Sequence, residues 1–213
     1  MGRPELASTF TKLALWSQTQ FKRIVYLDAD VMVLKDPDSL FALDLPESSI
    51  AAAPELGFPD HLNSGVMVLS PSIETYEELL TLAAKGTSID GGDQGVINLF
   101  FDHNELSHND NTGHKWHRLS FLYNIELYKH YHLNMPAIQH HRADLCIVHF
   151  IGREKPWTLW EEDLEGDGSG YADFYGEMVR RWLGLREELD GKAAEGVGKV
   201  MVGREDSGVG GLL

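Results

Sequence analysis

A chain of 213 residues is long enough to bury a core of its own, and a single domain is the reading its length favours. Its formal net charge of −15 argues against wrapping nucleic acid or lying on an anionic membrane, since either partner would repel it. The single cysteine, Cys146, excludes an internal disulfide framework and favours a reducing, cytoplasmic setting, and no run reaches the roughly 18–20 apolar residues of a membrane span.

Leu6, Phe10, Leu13 and Trp16 recur at three- and four-residue steps, which predicts a helix from Pro4 to Gln18. Residues 22–27 predict a strand, followed by Asp28-Ala29-Asp30 and a second short apolar piece, 31–34. Residues 50–53 and 66–69 read as further strands, the latter apolar throughout, as a strand buried on both faces is. Ser70-Pro71 predicts a helix start, with serine as cap and proline in the first turn, and Ile73, Tyr76, Leu79, Leu80 and Ala83 form the apolar face. Gly91-Gly92 breaks the chain ahead of a helix over 93–101, and residues 102–117, rich in Asn and His, read as a surface loop. Residues 145–150 predict another buried strand and 171–183 a late helix. Beyond it the apolar periodicity fades and glycines accumulate, so 184–213 is expected to be a flexible tail behind a catalytic domain of residues 1–183. Strands alternating with helices define an α/β chain with parallel elements in its sheet.

Two carboxylates leaving the end of a strand together are costly unless a cation sits between them. In an extended segment, Asp28 and Asp30 point the same way and can share one divalent ion while Ala29 turns aside, a chance Asp-x-Asp of a loop being the alternative. His149 also closes an apolar run and offers a third ligand of a kind that suits manganese, a satisfied core or surface histidine being the alternative. Asn63-Ser64-Gly65, ahead of the strand at 66–69, supplies an amide, a hydroxyl and an unobstructed backbone for sugar hydroxyls; a simple turn is the alternative. In Ser88–Gly95 two acids and an amide, Asp90, Asp93 and Gln94, crowd around glycines at a helix start, where Asp93 can also serve the helix dipole. Gly152 and Lys155 follow His149 and suit a diphosphate, a solvated surface lysine being the alternative.

The ordered motifs Tyr-Leu-Asp-Ala-Asp (26–30), Phe-Pro-Asp-His-Leu-Asn-Ser-Gly (58–65), Asp-Gly-Gly-Asp-Gln-Gly (90–95), His-Phe-Ile-Gly (149–152) and Lys-Pro-Trp (155–157) resemble the glycogenins and, more broadly, family 8 of the retaining glycosyltransferases. The likeness runs from about Arg3 to Trp157. It implies a GT-A, Rossmann-like fold with a mixed, mostly parallel sheet flanked by helices. It also implies manganese-dependent transfer of a hexosyl group, glucose first among the candidates, from a UDP-sugar with retention, as in glycogen biosynthesis. By position, Asp28, Asp30 and His149 would hold manganese, and Arg3, Lys12, Gly152 and Lys155 would meet the diphosphate. Asn63, Ser64 and Asp90 would surround the donor sugar, with Asp93 and Gln94 nearest the reaction. The acceptor would be a carbohydrate or the protein's own Tyr131, with Tyr128 as rival, and a homodimer is a further expectation. A phosphatase opening on the same Asp-x-Asp is disfavoured by Met32, where such enzymes carry Thr or Val.

Family members open with a strand and glycine-containing turn that grip the base, and the motifs here start after that point, so an N-terminally truncated member is expected. A catalytically inactive binding or scaffold protein is therefore the competing function. The expected result of calorimetry with UDP and manganese is weak or undetectable binding; low-micromolar affinity would overturn it.

Overall fold

The computed structural model describes residues 4–46, 49–86, 88–101, 115–127, 135–159, 164 and 171–202. The described residues fall into two compact units, the first up to Ile151 and the second from Gly152 onward.

In the first unit the helix at the start runs Pro4–Ser17 and is wound as a 3₁₀ helix. Strands β1 (Ile24–Leu27), β2 (Val31–Val33), β3 (Ser49–Pro54) and β4 (Leu62–Leu69) follow. Helices α1 (Ile73–Ala84) and α2 (Asp93–Phe101) precede β5 (Lys115–Arg118) and β6 (Ile125–Glu126), and α3 (Met135–His140) precedes β7 (Ile147–His149). Four strands form one sheet in the order β1-β4-β3-β5, and three form another in the order β2-β7-β6. The mixed α/β architecture is the expected one. The parallel share is smaller than expected, because β1–β4, β3–β4 and β2–β7 are antiparallel while β3–β5 and β6–β7 are parallel. Chain connectivity explains this: β3 returns directly into β4, whereas each parallel pair is bridged by helical crossovers.

Strand β4 is buried along its whole length and separates two cores. Met67 and Leu69 face a cluster with Leu13, Trp16, Ile50, Leu79, Val96 and Phe101, in which the Trp16 and Phe101 rings stack at 5.8 Å. Val66 and Val68 face the other way, onto Leu40, Leu45, Ala51, Ala53, Cys146 and Ile147. The period of two in a strand delivers alternate residues to each cluster, which is why the run is apolar without interruption.

Several expectations shift. Asn63, Ser64 and Gly65 lie inside β4 rather than before it. The cap of α1 is Ser72, whose hydroxyl accepts the Thr75 N–H at 3.3 Å, because Pro71 holds Ser70 extended at the strand end. Part of the expected surface loop is β5, an edge strand that pairs with β3 and ties its Trp116 Nε1–H to the Ala52 carbonyl at 2.9 Å. In the second unit, α4 runs Tyr171–Val202, past the expected end at Leu183 and into the expected tail. The ion pairs Arg186–Asp190 and Lys192–Glu188, four residues apart, give this polar stretch helical support that apolar periodicity does not register. No helix among the described residues is long and apolar enough to cross a membrane.

Asn98 of α2 fastens that helix to β4. Its Oδ1 accepts the Leu62 N–H at 2.8 Å and its Nδ2 donates to the Leu62 carbonyl at 2.9 Å, with the side chain buried. Asn98→Ala strands both groups and is expected to cost about 2–4 kcal/mol. Urea unfolding measures this, and an unchanged midpoint would contradict it.

Candidate functional site

The tripeptide Asp28-Ala29-Asp30 links the two sheets of the first unit. The β1–β4 pairing continues one step beyond the strand, with the Asp28 N–H donating to the Gly65 carbonyl at 2.8 Å. Two residues on, the Asp30 carbonyl accepts the Phe150 N–H at 2.9 Å, so Asp30 opens the β2–β7 pairing beside His149. The segment is therefore a turn, and the Val31 N–H reaches back to the Asp28 carbonyl at 3.4 Å. The extended geometry expected from sequence is corrected, since the chain must step from one sheet to the other between the carboxylates. They converge all the same, and Ala29 is exposed between them.

One ligand atom from each of Asp28, Asp30 and His149 lies within 4.8 Å of the others. His149 Nε2 is 3.2 Å from Asp30 Oδ1 and 3.9 Å from Asp28 Oδ2. Adjacent ligands around a six-coordinate ion with bonds of about 2.1 Å stand about 3 Å apart, so the cluster has the size and the oxygen-and-imidazole chemistry for a divalent cation. The carboxylates keep about a quarter of their side-chain surface open while His149 is buried, leaving positions for a ligand on the solvent side.

Beside the cluster, Lys12 reaches across from the first helix. Its Nζ lies 3.1 Å from Asp28 Oδ1, 3.0 Å from Asp93 Oδ2 and 3.1 Å from Ser64 Oγ, with the Tyr26 ring 5.1 Å away. Ser64 Oγ donates to Asp93 at 3.1 Å, and the Ser64 N–H donates to Gln94 Oε1 at 3.0 Å. Gln94 Nε2 in turn reaches Glu55 at 3.3 Å. Tyr26 donates its hydroxyl to Asp28 at 2.7 Å, and burial followed by this bond pushes the phenol above its ordinary range. Lys12, Tyr26, Asp28, Ser64, Asp93 and Gln94 line one open cleft.

Asp90 lines the same cleft but has a further task. Its Oδ1 accepts the N–H groups of Gly92 and Gly95 and the Ser88 hydroxyl, folding the glycine loop into the start of α2. A Cβ on Gly95 would stand 2.4 Å from that oxygen, which is why glycine occupies the position. Asn63 points to the opposite side of β4 from Ser64, where it meets Asn124, Glu126 and the Gly65 N–H. In the second unit, Gly152 adopts φ +89°, and the Lys155 N–H donates to Thr158 Oγ1 at 3.2 Å at the head of a short turn of helix. Arg3, Tyr128 and Tyr131 lie outside the described residues.

Tyr26, Glu55, Asn124 and Glu126 join this region without having been singled out for it. Tyr26 carried a legible signal, an aromatic hydroxyl two residues before the first acid; the others depend on contacts remote in sequence.

The fold and site together define a GT-A glycosyltransferase framework. It is shared by the glycosyltransferase GlyE of Streptococcus pneumoniae (TM-score 0.54, 23% identity, 84% of this chain and 47% of that one). It is shared also by the galactosyltransferase LgtC (TM-score 0.51, 17% identity, 81% and 66%). Residues 3–161 match the model of glycosyl transferase family 8, and the chain belongs to that family. It is similar to glycogenin of Neurospora crassa, 44% identical over 85% of this chain and 24% of that protein. It is similar also to human glycogenin-1, 45% identical over 74% and 42%. The chain thus spans less than half the length of either glycogenin.

Burial, and then the nearby Glu55, push the Glu126 carboxyl up from 4.5 to about 7, against the lowering effect of bonds from the Leu56 N–H and Asn63. The folded protein therefore holds this proton more tightly than the unfolded chain. The contribution is full below about 4.5 and is lost as pH rises to about 7, a loss of about 3 kcal/mol. Unfolding free energies measured across that window should fall in the wild type relative to Glu126→Gln; parallel curves would refute this.

Proposed function

We propose that this chain carries the catalytic core of a retaining glycosyltransferase that moves a hexosyl group, glucose from UDP-glucose in the first instance, to a carbohydrate or tyrosine acceptor. The observation that carries the reading is the convergence of Asp28, Asp30 and His149 next to the Lys12–Asp93–Ser64 cluster. The likeness to glycogenins supports the donor, the retention and the acceptor class.

Asp28, Asp30 and His149 would hold manganese, which when bound supplies Lewis-acid stabilisation of the departing diphosphate. Lys12 is positioned to exchange a carboxylate partner for a phosphate oxygen without leaving the site, because it already contacts Asp28 and Asp93 together. Ser64 and Gln94 brace each other through the Ser64 backbone, so Asp93 and Gln94 present a fixed polar edge to the donor sugar. Arg3, Gly152 and Lys155 are assigned to the diphosphate, and Tyr131 or Tyr128 to self-glucosylation, by their sequence positions. A cytoplasmic setting fits the buried, unpaired Cys146 thiol.

The test incubates the full chain with UDP-glucose and manganese and follows sugar transfer by mass spectrometry. Asp30→Asn is expected to lower manganese-dependent transfer at least about 100-fold while leaving the thermal midpoint in place. Undiminished transfer by the variant would sink the metal assignment. Absence of turnover by the wild type with any UDP-sugar would favour the binding-protein alternative.

A further inference from the structure

Behind the metal candidates, on the side of β4 away from Lys12, runs a buried chain of hydrogen bonds. His149 Nδ1 lies 3.1 Å from Asn124 Oδ1, Asn124 Nδ2 donates to Asn63 Oδ1 at 2.8 Å, and Asn63 Nδ2 donates to Glu126 Oε1 at 2.9 Å. Glu126 Oε2 accepts the Leu56 N–H at 3.3 Å. His149, Asn63, Asn124 and Glu126 are all at most 6% exposed.

The direction of this chain is fixed by a backbone group. The Gly65 N–H, which can only donate, lies 2.9 Å from the Asn63 side chain, so the atom facing it must be the oxygen Oδ1. That oxygen also faces Asn124, which must then present its Nδ2. Asn124 is left with Oδ1 toward His149, and an oxygen there requires a proton on Nδ1. In the neutral ring Nε2 is therefore bare, 3.2 Å from an Asp30 oxygen that is also an acceptor. Two lone pairs at that separation repel unless a metal ion or a second ring proton lies between them. Gly65 serves the same geometry a second way, since a Cβ there would stand 2.2 Å from His149 Cε1 and displace the ring.

We propose that Gly65, Asn63, Asn124 and Glu126 form a one-way relay that locks His149 with its proton on Nδ1 and its Nε2 open for a metal, making Asn63 and Asn124 positioning residues. Asn63 then has a task on the metal side of β4 as well as the donor-sugar contact assigned to it from its sequence position. Glu126 anchors the far end, holding the Asn63 amide in plane with the rest.

The relay's role toward a metal rests on the metal assignment above, so the experiment has two arms. In the first, long-range ¹H–¹⁵N correlation spectra of the metal-free full chain at mildly alkaline pH report which ring nitrogen of His149 is protonated. Protonation at Nδ1 is expected, and a proton on Nε2 in the wild type overturns the proposal. In the second, manganese affinity is read by electron paramagnetic resonance. Asn124→Leu and Asn63→Asp are each expected to weaken it about 10- to 100-fold. Asn63→Asp puts two carboxylates face to face, and combining it with Glu126→Gln restores a donor and acceptor at that joint. The double variant should recover to within about threefold of wild type. Wild-type affinity in Asn124→Leu, or no recovery in the double variant, overturns the relay. If the wild type binds no manganese yet shows the Nδ1 proton, the relay stands and the metal assignment fails. Should Asn124→Leu not fold, the wild-type spectrum and the recovery in the double variant still decide.

Discussion

The site depends on the crossing between sheets at Asp28-Ala29-Asp30. One carboxylate is held where β1 leaves β4, through the Gly65 carbonyl, and the other where β2 meets β7, through the Phe150 N–H. Neither sheet alone supplies the cluster. The strands on both sides are short, and the pairings that fix them, Leu27 with Val66 and Val31 with His149, begin within a residue of the acids. Placement of the carboxylates is thus inherited from backbone ladders, which hold geometry more rigidly than loops do.

Charge compounds the constraint. The chain carries a large negative excess, and its candidate site adds Asp28, Asp30, Asp90, Asp93 and Glu55 within a small region. Lys12, nearly buried, bridges Asp28 and Asp93, joining the metal candidates to the Asp93–Ser64 pair. Its distance from solvent strengthens each contact relative to a surface pair. Because the carboxylates there outnumber this one ammonium, a free anion would be repelled, and a cation arriving with it would offset that cost.

Much of this was legible in the sequence, for identifiable reasons. Asp28 and His149 each close an apolar run and Asp30 opens one, and a polar residue at such a boundary stands out. Strand β4 showed itself through unbroken burial, and α2 through the glycines and acid at its start. Asn98, Asn124 and Glu126 were not legible, because their partners lie 36, 61 and 63 residues away and no local pattern marks an amide that reaches so far. Strand β5 was missed because Lys115, His117 and Arg118 are exposed on an edge, where apolar alternation has nothing to satisfy. The reach of α4 beyond Leu183 comes from paired charges, to which a search for apolar periodicity is blind.

Strand β4 places Ser64 toward Lys12 and Asp93, and its neighbours Asn63 and Gly65 toward His149. The two halves of the site are therefore told apart by parity along a single strand. Inserting or deleting one residue within 62–65 would exchange the halves, bringing a side chain against the imidazole and an amide against the ammonium. Substitutions here can be graded in severity, whereas a length change moves every side chain of the stretch at once, so the spacing between Leu62 and Val66 is itself part of the site.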